Sequence, residues 1–197
     1  MTSAGAAVLI GLGANRGTDD EQLARFDDAV ARLAARGAVR CSAVYRSAAL
    51  SAGDPDFLNA AVAWTPATPW SPHALLDWLH AIEVAHGRDR RYEHRWGPRT
   101  LDLDVLAWGD HRLVWPRLVI PHPRAHERSF VLAPLRDLVG DAWIVPGTGA
   151  TLAALAERAG PPLTRTAYSV TASPRHQRRT CSIEPVRGSP AGSASSK

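Results

Sequence analysis

Leu101–Trp108 reads LDLDVLAW, with leucine or valine at 101, 103 and 105 and aspartate at 102 and 104. This period of two belongs to a strand with one buried face, so Leu101, Leu103 and Val105 are expected to point into a core and the two carboxylates to share the other face. Upstream, PHALLDWLHAI (72–82) changes period: Leu75, Leu76, Leu79 and Ile82 form one helical face, Ser71 can cap it, Pro72 suits the first turn, and Gly87 ends it. Further back, Phe57–Thr65 and Val39–Arg46 read as two strands around a loop with Gly53 and Pro55. Leu23, Phe26, Val30 and Leu33 mark a helix that stops near Gly37, and AAVLIGLG (6–13) reads as a buried first strand.

The order strand, helix, strand, strand, helix, strand predicts an α+β fold, a ferredoxin-like βαββαβ sandwich with an antiparallel sheet and helices on one face. Extra C-terminal strands and helices are expected up to about Val170, with helices over His126–Leu138 and Thr151–Arg158. Residues 1–172 are taken as one domain. Residues 173–197, rich in Ser, Pro, Arg and Gly, read as a disordered basic tail.

Charge sharpens the functional classes. The 197 residues carry 23 Lys plus Arg against 19 Asp plus Glu, a net of +4, and every basic residue except the terminal Lys197 is arginine. A Walker-A loop and a Schiff-base lysine are therefore excluded. The tail holds five basic residues against Glu184, so the excess belongs to it and residues 1–172 balance at zero. No apolar run approaches the roughly 20 residues of a membrane span, and the start lacks the basic residues of a secretory signal, so a cytoplasmic protein without a membrane partner is expected. Cys41 and Cys181 form no metal-like pair. The glycines of GLGANRG (11–17) miss the dinucleotide spacing, and a turn bringing the backbone close to another segment is the better reading.

After a stretch from Ser47 to Gly87 without Lys or Arg, Arg88, Arg90, Arg91, Arg95 and Arg99 arrive together. Guanidinium groups bind phosphate oxygens through paired donors and keep their charge. Next to them, Asp102 and Asp104 would repel one another unless something cationic sits between them, and Mg²⁺ shared with phosphate oxygens suits that need. The alternative is that the aspartates pair with neighbouring arginines. His122, between Pro121 and Pro123, is read as a stiffly mounted imidazole flanked by Arg117, Arg124 and Arg128. Phe57 and Asn59 place an aromatic face beside an amide able to read a heterocycle.

RWGPRTLDLDVL, preceded by IEVAHGRDR and followed by LVIPHPRAHERSFVLAPL, resembles the 6-hydroxymethyl-7,8-dihydropterin pyrophosphokinase family of folate biosynthesis, as do GLGANRG, YRSAAL and FLNAAV in the same order. The resemblance implies transfer of pyrophosphate from ATP to the pterin's 6-hydroxymethyl group, with AMP released. It implies two Mg²⁺ ions on Asp102 and Asp104. From the chemistry of the transfer, a metal-bound state or Asp104 is expected to assist deprotonation of the hydroxyl. Arg88, Arg90, Arg95 and Arg99 match catalytic arginines, the nucleotide is met by Arg88, Arg95, Trp96, Arg99, Val105, Arg117, Val119, His122 and Arg128, and Trp96 would help close the loop. The pterin would stack between Phe57 and Phe130, with Asn59, Ser47, Ala48 and Leu50 along its edge and Glu83 near the metal. This sequence departs from the family at Phe57, Ser47, Ala48, Val119 and Pro123, where side-chain contacts differ, and the role of Arg90 against Arg91 stays open. ATP and the pterin are the expected partners, with a monomer as the family default. The rival readings are a nucleic-acid-binding module using the Arg cluster and tail, and another metal-dependent transferase with a DxD motif; the zero charge of residues 1–172 counts against nucleic acid.

Overall fold

The computed structural model describes residues 6–49, 53–89, 97–160 and 163–172. β1 (Val8–Ala14), α1 (Asp19–Ala34), β2 (Gly37–Cys41), β3 (Ala43–Ser47), β4 (Phe57–Pro66), α2 (Pro72–Ala85) and β5 (Asp102–Trp108) realise the expected order. The sheet runs β5-β1-β4-β3 with every pairing antiparallel, and β2 also pairs with β4. β8 (Thr164–Ser169) extends the edge beyond β3. β6 (Leu113–Trp115) and β7 (Leu118–Ile120) form a separate hairpin.

Local chemistry explains the boundaries. Thr18 and Glu21 form a capping box at α1, where Asp19, Asp20 and Glu21 also favour the positive end of the helix dipole. Ser71 accepts from the Ala74 amide with Pro72 in the first turn of α2. Gly37 ends no helix by adopting a left-handed conformation. A Cβ there would lie 2.2 Å from the Thr65 carbonyl oxygen, so the residue permits close approach of β2 to β4. The stretch read as one strand over Val39–Arg46 is two, because Ser42 interrupts it. Its amide donates to the Ala61 carbonyl and its hydroxyl accepts from the Ala61 amide, so one residue of β4 meets a bulge.

The expectation of helices on one face is corrected by the C-terminal part. α1 and α2 cover the face bearing Val8, Ile10, Leu12, Val62, Trp64, Leu103 and Val105. On the opposite face Leu9, Ala61, Ala63 and Leu106 pack against α3 (Ser129–Val139) and α4 (Leu152–Arg158). Burying both faces explains why β4 is an almost unbroken apolar run. The helix expected over His126–Leu138 also divides: Ala125–Glu127 is a 3-10 turn, Arg128 is extended, and α3 starts at Ser129. Among the described residues no helix is long and apolar enough to cross a membrane.

Cys41 lies half-buried on β2, and burial, with the Asp27 charge nearby, pushes its thiol up to about 11. Because the thiolate is the reactive form, a Cys181→Ser variant should react with a thiol reagent at pH 8 roughly 10²-fold more slowly than an ordinary cysteine. A rate equal to that of free cysteine would contradict this.

Candidate functional site

The second face of the sheet does not fill completely. At one end, α3 and the α4–β8 junction leave a cavity of about 610 Å³. Its floor is β1, and its sides are the first residues of β4 and β5. The register places Gly13 between Asn59 and Asp102, and Gly11 between Ala61 and Asp104. Since neither glycine has a side chain, open space remains between the amide of β4 and the carboxylates of β5.

Asp102, Asp104 and Leu106 line this cavity, whereas Leu101, Leu103 and Val105 are buried beneath it. Asp102 accepts hydrogen bonds from both Arg88 and Arg99. Burial opposes its charge, but the two guanidinium groups outweigh that and hold the carboxyl below its usual range. Arg88, itself only 5% exposed, is anchored by the buried Glu83 at 2.6 Å and donates to the Leu101 carbonyl. Glu83 also accepts the Leu103 amide at 2.8 Å, so α2 is tied to the strand that displays the aspartates.

Asp104 behaves oppositely. Burial first, then the charges of Asp102 and Glu83, push its carboxyl up to about 6 despite Arg128 and Arg99. A cation at this point would relieve that repulsion. Carboxylate oxygens are hard donors, and Asp102 retains lone pairs beyond those used by its arginines. Among the described residues no cluster of three or more His, Cys, Asp or Glu could form an all-protein metal cage. Two carboxylates needing ligands from elsewhere fit Mg²⁺ completed by phosphate and water, which dehydrates reluctantly and seldom takes a full protein cage.

On the far side, Asn59 is 5% exposed and donates to the Ser47 hydroxyl at 3.0 Å, fixing its amide. Ser47, Ala48, Phe57 and Phe130 line the same cavity. The Arg128 guanidinium lies 5.5 Å from the centre of the Phe130 ring. The chamber therefore combines an aromatic and amide side with a carboxylate and arginine side.

Residues 9–140 match the family model for 7,8-dihydro-6-hydroxymethylpterin-pyrophosphokinase. The chain belongs to this family. A 2-amino-4-hydroxy-6-hydroxymethyldihydropteridine pyrophosphokinase from Synechocystis sp. is 42% identical over 153 residues, covering 76% of this chain and 74% of the relative. One of the same description from Pseudomonas aeruginosa is 43% identical over 141 residues, covering 71% and 85% respectively. The Plasmodium falciparum HPPK-DHPS structure with pteroate superposes with a TM-score of 0.61 at 12% identity, over 80% of this chain and 43% of that one, which is a likeness of fold.

Of the positions that resemble the pyrophosphokinase motifs, Ser47, Ala48, Phe57, Asn59, Arg99, Asp102, Asp104, Arg128 and Phe130 border one chamber. Arg88 sits beneath Asp102. Val105 is buried in the core on the opposite face of β5. Arg117 is held at the surface by Asp77 at 2.9 Å, and Val119 is on the β6–β7 hairpin. His122 stands at the start of a turn: its ring Nδ1 accepts the Arg124 amide, and its own amide donates to the Leu106 carbonyl. Leu50, Arg90, Arg91, Arg95 and Trp96 lie outside the described residues, as does the tail from 173.

Sequence reasoning missed Gly11 and Gly13 as a floor. It also missed Leu163 and Thr164, which reach the chamber from the start of β8. The signal for the glycines was their spacing of two on an apolar strand, which puts both on one face. Leu163 and Thr164 had no local signal, because only the pairing of β8 with β3 brings them there.

Proposed function

We propose that this chain transfers the β,γ-diphosphate of ATP to the 6-hydroxymethyl group of 7,8-dihydropterin, producing AMP and the pterin diphosphate in a Mg²⁺-dependent reaction of folate biosynthesis. The observation that carries the reading is the meeting, across a glycine floor, of two same-face aspartates with two aromatic rings and a fixed amide.

Phe57 and Phe130 stack the pterin, while Asn59, held by Ser47, reads its edge along with Ala48 and the Leu50 position. Asp102 and Asp104 would hold two Mg²⁺ ions, which would supply neutralising charge for the phosphate oxygens. Arg99 and Arg128 add permanent positive charge on the same side, and Arg88 holds Asp102 in place. Sequence likeness assigns Arg90 and Arg95 as catalytic arginines, and Arg95 and Trp96 to the nucleotide, as it does Arg117, Val119 and His122 along the adjoining segments. The alcohol oxygen bonds to the β-phosphorus, the bond from that phosphorus to the α,β-bridging oxygen breaks, and the hydroxyl proton departs. Such a transfer depends on charge stabilisation and in-line placement more than on covalent catalysis. Asp104 borders the chamber on the phosphate side, and we assign it to assist departure of that proton. We also read the protein as a cytoplasmic monomer, a reading supported by the family default. Family membership displaces the nucleic-acid alternative.

The test is product analysis. With ATP, Mg²⁺ and hydroxymethyl-dihydropterin the protein should form AMP, and either EDTA or omission of the pterin should stop it. ADP as product, or turnover indifferent to the pterin, would refute the reading.

A further inference from the structure

Asn15 follows β1 directly and is the next position on the alternation that puts Leu9, Gly11 and Gly13 on the chamber side. It is fully buried, at 0% exposure. Its two amide ends are used on opposite sides. Oδ1 accepts the Arg99 amide at 2.7 Å, and Nδ2 donates to the Pro55 carbonyl at 3.0 Å. The backbone strengthens one side, since the amides of Asn15 and Arg16 both donate to the Arg99 carbonyl, at 3.1 and 3.2 Å.

These partners lie where the two halves of the chamber begin. Pro55 comes two residues before Phe57, and Arg99 three before Asp102. Because β1 lies between β4 and β5, ladder bonds set the spacing of the two sides only as far as the strands run. Gly11 and Gly13 provide no side chains to brace the sides across the floor. The Asn15 carboxamide continues the connection one step past the strand end, with a donor towards β4 and an acceptor towards β5.

We propose that Asn15 is a positioning residue that sets the distance between the aromatic side and the aspartate side of the chamber, and so between alcohol and phosphate; this rests on the transfer reaction proposed above. At this length a carboxamide supplies both ends at every pH. Asparagine and aspartate are equal in size, but ionised aspartate loses the donor and turns an oxygen toward the Pro55 carbonyl while keeping the acceptor for Arg99, so the Asn15→Asp assay is read at alkaline pH, where the acid is ionised. The two arms are therefore separable by mutation.

Asn15→Asp should raise the KM for the pterin roughly 10-fold and leave ATP affinity within about twofold, since only the arm toward β4 is broken. Asn15→Ala should lower kcat roughly 10²-fold with both substrates saturating, because a reactant misplaced by about 1 Å costs that much. Amide hydrogen exchange separates the brace from the reaction. The Arg99 amide should exchange slowly in the wild type and in Asn15→Asp, and faster in Asn15→Ala, whatever the enzyme transfers. Unchanged Arg99 exchange in Asn15→Ala would overturn the brace. Kinetic constants unchanged in both variants, with only the melting temperature lowered, would overturn the positioning role, and equal loss of pterin and ATP affinity in Asn15→Asp would overturn the division into arms. Absence of AMP formation by the wild type would instead count against the reaction.

Discussion

Asp102→Ala and Asp104→Asn should each reduce Mg²⁺-dependent AMP formation by roughly 10³-fold or more, yet shift stability in opposite directions. Asp102 is the partner of two arginines, one of them buried with a side chain only 3% exposed. Removing it takes a charge partner from the buried Arg88, which also bonds Glu83 and the Leu101 carbonyl, and the loss of a buried charge partner costs on the order of 3 kcal/mol. The melting temperature of the ligand-free Asp102→Ala protein should fall by several degrees.

Asp104 is crowded by like charge. Its carboxyl holds a proton up to about 6, against an ordinary 3.8, so the folded state binds that proton more readily than the unfolded chain. Ionisation of Asp104 therefore destabilises the ligand-free fold as pH rises from about 4 through about 6. Asn carries no such charge. At pH 7.5 Asp104→Asn should melt a few degrees above the wild type, and the difference should vanish as pH falls toward 4. Mg²⁺ with a nucleotide should raise the melting temperature of the wild type but not of this variant, by mass action on the folded state. Thermal denaturation across pH checks both directions. Near-normal turnover in either variant, or a lower melting temperature for Asp104→Asn at pH 7.5, would contradict the account.

Gly13→Val should be nearly as damaging to turnover while sparing the fold. A Cβ at Gly13 meets the Asp102 Cβ at 3.8 Å and the Asn59 Oδ1 at 3.9 Å, ordinary contact distances. β-Branched residues suit strands, so the melting temperature should move little. The valine methyl groups, however, enter the space between the amide and the carboxylates. AMP formation should fall roughly 10²-fold or more through loss of near-attack geometry, with Gly13→Ala intermediate. Gly11→Ala behaves differently, because its Cβ would crowd a Leu106 methyl at 3.3 Å, so that variant loses stability as well. Full activity in Gly13→Val would remove the floor from the account.

How far these features could be read beforehand depended on how local their causes are. β5 was legible because its two faces meet different environments, core beneath and polar chamber above, and so its residues alternate. α2 was legible from Ser71 and Pro72, whose cap chemistry acts within one turn. The division at Ser42 was not, since serine marks no special backbone and the bulge exists only through its two bonds to Ala61. The break at Arg128 was hidden for a similar reason: apolar spacing continues from the 3-10 turn into α3. The covering of the second face did leave a trace. The run AAVAW in β4 does not alternate, as a strand buried on both sides should not, and it contradicts an open face. The aspartates and the aromatic pair were visible as residue types, but Asn15 and the glycine floor gain meaning only from the register of β1 between β4 and β5.

The central claim is transfer of a diphosphate unit, and tracing the phosphorus atoms tests it most directly. ATP labelled separately at the α, β and γ positions should be incubated with Mg²⁺, the pterin and the intact chain. The β and γ labels should appear together in the pterin product in equal amounts, with the α label wholly in AMP. Transfer of the γ label alone, with ADP formed, would contradict the account.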